Sequence, residues 1–172
     1  MLKQFLPGRW LGHPLHPGLV HLPTGLFPSA LLFDLLSRAG LGENAMVRAS
    51  FLGILLGLLV ALLAAPAGLA DWLDIKPTRP AYRIGIWHMA LNISLLAIEA
   101  TNLAVRWNGF RSQVRVDLGM LGLSAAGTAI VVVSSYLGSL MVFDQGIGVA
   151  RLSKNRWRAI AIAGRANVPD ES

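Results

Sequence analysis

The chain is predicted to fold as an all-α integral membrane protein, a bundle of four spanning helices with the N- and C-termini on the cytoplasmic side. Three observations carry that expectation. Hydrophobic residues make up 54% of the 172 residues and charged residues only 14%, against about a quarter charged in ordinary soluble domains. Mean hydropathy is +0.57. The apolar residues arrive in four blocks, 19–36, 49–70, 84–105 and 118–143, each close to the roughly 20 helical residues that cross a hydrocarbon layer about 30 Å thick. Four spans leave room for a single domain. The expected layout is a His/Pro-rich segment at the cytoplasmic surface (1–18), the four-helix domain (19–143) and a basic cytoplasmic tail (144–172).

Charge sets the expected orientation. An even number of spans puts both termini on one side, together with Lys3, Arg9, Lys76, Arg79, Arg83, Arg151, Lys154, Arg156, Arg158 and Arg165. The other side holds Arg38, Arg48, Arg106, Arg111 and Arg115. Lys and Arg are retained on the cytoplasmic side of short loops, so the richer side is cytoplasmic. The net charge of +6 is then a topology signal whose tail touches anionic lipid, and no nucleic-acid role is expected. There is no cysteine, which excludes disulfides, Cys-ligated zinc, cysteine-ligated iron–sulfur clusters and covalently attached haem.

The start, "MLKQFLPGRWLGHP", lacks the apolar core and small-residue cleavage site of a signal peptide, so the first span is expected to be retained. Pro14, Pro17 and Pro23 each lack an N–H, which places the start of the regular helix near Leu19. His13 and His16 both precede proline and are expected to be extended, with His21 at the mouth of the helix and Pro28 kinking it. Asp34 and Arg38 are four residues apart, the spacing of an interfacial ion pair. Span two carries Gly53, Gly57, Ala61 and Ala65 at four-residue intervals, a stripe for close helix approach, and Pro66 is expected to bend or end it. Trp10, Trp72, Trp87, Trp107 and Trp157 suit the membrane interfaces. On span three, Asn92 and Glu99 fall within about 40° of His88 at 100° per residue, with Asn102 nearby. A polar stripe of that length faces the bundle interior rather than lipid. Span four is rich in small residues, among them Gly119, Gly122, Ala126, Ser134, Ser135 and Gly138, and no internal repeat is evident.

This topology gathers His13, His16, His21 and His88 at one face, with Asp71 at the exit of span two and Asp144 and Gln145 after span four. Neutral imidazole ligates haem iron, and facing helices of a bundle are where such ligands are presented. His21 and His88 are the expected axial pair for a b-type haem in an electron-transfer subunit. His13 and His16 would hold its propionates or a second metal, and Asn92 lies below His88. A second reading is a single Zn or Fe ion held among His13, His16, His21, His88 and Asp71. A third is an accessory subunit of a larger membrane complex with no cofactor of its own, its histidines binding lipid, pigment, backbone or a divalent metal. Glu99 is a candidate carrier of protons or a cation toward His88, or a structural partner of Arg106 or Asn102. Asp71 is equally able to orient a histidine. Nothing in the chain identifies a substrate pocket, so an enzyme acting by itself is not expected.

The blocks "HPLHPGLVHLPTGLFPSALLFDLL", "PAGLADWLDI", "WHMALN" and "YLGSLMVFDQGIGV" resemble, in the same order, the uncharacterised bacterial membrane family called domain of unknown function 2231, from about Gly12 to Val149. The resemblance implies a four-span domain in a bacterial inner membrane. Some members of that family resemble fusions to Rieske-type iron–sulfur domains, which implies a redox complex as partner. The family's last motif commonly has histidine where this chain has Gln145, so a site needing that ligand would be incomplete here.

Overall fold

The structure, a computed structural model, describes residues 15–148 and 154–164. Every regular element among them is helical: α1 (Leu15–Arg38), α2 (Glu43–Leu73), α3 (Pro80–Arg106), α4 (Leu118–Ser139) continued by a π-helical turn (Leu140–Asp144), and a short α5 (Lys154–Ala163). The first four are long and apolar enough to cross a membrane. Their order around the bundle is cyclic, because α1 packs on α2, α2 on α3, α3 on α4 and α4 on α1. Helices α1 and α3 therefore face each other across the bundle axis.

Two elements begin or run differently from the expectation. Helix α1 starts at Leu15, so His16 is helical rather than extended and Pro17 sits in the first turn, where a missing N–H leaves no hydrogen bond unmade. Helix α2 continues through Pro66 to Leu73. The glycine stripe works for half its length. Gly53 lies against the Leu26 carbonyl and Ala30, and Gly57 lies under the Phe27 ring, where a Cβ would stand 2.6 Å from it. Four-residue steps drift about 40° each on a 3.6-residue helix, so by Ala65 the stripe has turned outward and Ala64 and Ala67 are the buried residues.

The middle of the bundle is apolar, built from Phe27, Ala30, Ile54, Leu58, Leu95 and Val131. One end is locked by a buried polar network. The Arg106 guanidinium, fully buried, spans both oxygens of Asp34 at 2.8 and 2.6 Å. It also donates to Asn102 Oδ1, Ser50 Oγ, Ser124 Oγ and the Met120 carbonyl. Ser124 in turn donates to Asp34 at 2.6 Å, and Asn102 donates to Glu99 Oε2 and Ser124 Oγ. All four spans contribute, and a buried charge is tolerated only with such complete pairing. The expected Asp34–Arg38 pair is corrected by this arrangement: Arg38 donates to the Val116 carbonyl at 3.3 Å. Four residues along a helix bring side chains together only on its outer surface, whereas Asp34 is buried and turned to the axis.

Candidate functional site

The opposite end of the bundle brings two imidazoles together. His16, on the first turn of α1, and His88, a little over two turns into α3, stand with ring centres 6.2 Å apart and planes at 87°. Each ring is anchored through Nδ1 to a neighbouring helix. His16 Nδ1 lies 3.0 Å from the Ala64 carbonyl of α2, and His88 Nδ1 lies 2.9 Å from the Ser134 carbonyl of α4. A carbonyl oxygen accepts and never donates, so Nδ1 is the donor in both rings, and a neutral ring so held keeps its lone pair on Nε2. Ser134 Oγ stands a further 3.0 Å from His88 Nδ1. Asn92 steadies the second ring from below by donating to Ser134 Oγ and to the His88 carbonyl, both at 2.7 Å.

Glycines make the room. A Cβ on Gly68 of α2 would stand 2.7 Å from the His16 ring, and one on Gly138 of α4 would stand 3.4 Å from His88 Cε1. On the opposite side of His88 from Asn92, toward the end of the bundle, Trp72 stacks on Tyr82 at 4.6 Å, donates to the Tyr82 carbonyl and lies against Gly85. Arg79 donates to the Gln145 carbonyl at 2.9 Å, joining the α2–α3 loop to the chain after the π-helical turn.

The expected site residues divide accordingly. His16, His88 and Asn92 are brought together. His21 is not: it is exposed, with Nδ1 3.4 Å from the Gly18 carbonyl of its own helix. Five residues are about 140° of helix, so once His16 faces the axis His21 turns away from it. His13 lies outside the described residues. Asp71 is half-buried one turn beyond Gly68. Among the described residues, no group of three or more His, Cys, Asp or Glu could hold a metal ion. Glu99 belongs to the far network, eleven residues from His88 along α3, about 16 Å, with buried Leu95 between. Arg106 bonds Asn102 and Asp34 rather than Glu99, and Ser134 contributes a hydroxyl beside His88 that the small-residue pattern of span four does not single out. Arg106 extends the span-three stripe, seven residues after Glu99, and that register was the available signal.

No curated protein and no solved structure matches the chain. One family model does, over residues 12–151, which include every span, both imidazoles and the buried network. The chain belongs to the family described as predicted membrane protein, DUF2231.

Proposed function

We propose that this protein is an electron-carrying membrane subunit in which His16 and His88 ligate one b-type haem iron from facing helices. The observation that carries the reading is the pair of Nδ1 hydrogen bonds to Ala64 and Ser134, which leaves both Nε2 lone pairs available on rings 6.2 Å apart. Ligating histidines are held in this way, with the second nitrogen given to a carbonyl. The donor set fits the group: two imidazoles would supply the protein ligands of a haem iron, whereas a structural zinc takes about four. Haem would supply one-electron exchange. The chain's own residues orient the ligands through Ala64, Ser134 and Asn92, and exclude water with the apolar layer at Phe27, Leu58 and Leu95.

A second reading rests on the same two bonds. Each ties neighbouring helices together, α1 to α2 and α3 to α4, which is what the histidines of an accessory subunit without a cofactor would do. Visible spectra of the detergent-purified protein, oxidised and dithionite-reduced, with pyridine-haemochrome quantification and metal analysis, separate the readings. A Soret band with sharp reduced bands at near one haem per chain is expected. A colourless folded protein from haem-replete cells overturns the haem reading. Stoichiometric zinc or iron without haem would then mark an ion site, and no metal the accessory role.

A further inference from the structure

The end of the bundle opposite the histidines carries a second feature, independent of the haem reading. A cavity of about 360 Å³ opens there, lined by Phe51, Leu55, Trp107, Asn108, Phe110 and Arg111. It lies where the start of α2 meets the chain leaving α3. We infer that it binds one anionic glycerophospholipid of the adjoining leaflet, with Arg111 on the phosphate and the aromatic wall against the glycerol and first methylenes.

The chemistry grades from polar to apolar along the membrane normal, as a lipid does. At the outer edge are Arg111, exposed, with its guanidinium carbon 5.3 Å from the Phe110 ring centre, and Asn108. Inward come Phe110 and Phe51, stacked at 3.9 Å and 5°, then Trp107, 5.8 Å from Phe51, and finally Leu55, one turn deeper. None of the six lining residues is acidic. A volume in this range holds the polar part of a ligand, and the acyl chains then continue along the lipid-facing seam between α2 and α3. Juxtamembrane Arg and interfacial Trp are the groups that draw anionic headgroups.

The wall is also pre-formed. Asn44 of α2 donates to the carbonyls of Phe110 and Gln113 at 3.0 and 2.6 Å. Ser37 Oγ accepts from the Val116 N–H at 3.1 Å. These bonds hold the 107–117 loop against two helices, so binding orders little of the protein and retains more of its free energy.

Native mass spectrometry of the full chain, delipidated in detergent and titrated with dioleoyl phosphatidylglycerol or dioleoyl phosphatidylcholine, tests the inference. One tightly retained phosphatidylglycerol is expected, with phosphatidylcholine weaker. Arg111→Gln should weaken phosphatidylglycerol about fivefold, the weight of one cation at a membrane surface. Leu55→Trp, which fills the cavity, should abolish retention. Arg115→Gln, on the same loop but not lining the cavity, should change nothing. Both arginine positions are exposed, and unchanged helical circular dichroism confirms folding. Equal retention of the two lipids, or equal effects of the two arginine substitutions, would overturn the proposal.

Discussion

At the scale of single residues, Arg106 shows why a charge can sit inside this bundle. Its guanidinium is fully buried, yet each nitrogen has an acceptor, and Asp34 supplies the opposite charge. Removing one partner leaves the other uncompensated in a low-dielectric site, a loss of about 3–5 kcal/mol. Asp34→Asn should therefore lower thermal stability in detergent sharply. The double change Asp34→Leu with Arg106→Met should recover part of that loss, because apolar replacement of a whole buried pair is often neutral. A double variant melting below Asp34→Asn would contradict this. Gly127 makes a steric case of its own, since a Cβ there would meet the Glu99 carboxylate. Asp34's partner was not legible in the sequence, because local spacing points to Arg38 and the true partner is 72 residues away.

At the scale of elements, the register of α1 decides the candidate site. Prolines at 14, 17 and 23 argue for an extended segment at the level of local backbone preference. The helix nonetheless runs from Leu15, with Pro17 in its first turn and Pro23 and Pro28 inside it. That early start puts His16 beside His88 and leaves His21 exposed, a register that local backbone preferences did not reveal. The span-three stripe is legible in the sequence, because a polar face on an apolar helix has one acceptable direction: Glu99 and Asn102 are buried and His88 and Asn92 half-buried. The fit of His16 into α2 gives a further prediction. Gly68→Ala should reduce cofactor retention more than Gly138→Ala, in proportion to Cβ clearances of 2.7 and 3.4 Å. Equal retention in both would argue that the His16 ring is not held where it stands here.

At the scale of the whole molecule, the four spans were evident in the pattern of apolar blocks, since blocks of about 20 apolar residues have few other destinations. The cyclic helix order was not, because lipid-facing and partner-facing apolar residues look alike in sequence. Orientation is open to direct test in a chain without cysteine. The balance of basic residues predicts that a cysteine replacing Ser112 reacts with an impermeant maleimide in intact cells, and that one replacing Lys76 does not; the opposite pattern would invert the topology. Burial of Arg106 inside the bundle removes one cation from the poorer side and strengthens that prediction.

The central claim is that His16 and His88 form one ligand pair. Haem content per chain, measured by pyridine haemochrome on wild type and on His16→Ala, His88→Ala and His21→Ala prepared side by side, tests it most directly. The account predicts near-stoichiometric haem in wild type and His21→Ala, and loss in each of the other two. Haem retained in His16→Ala but lost in His21→Ala would contradict it.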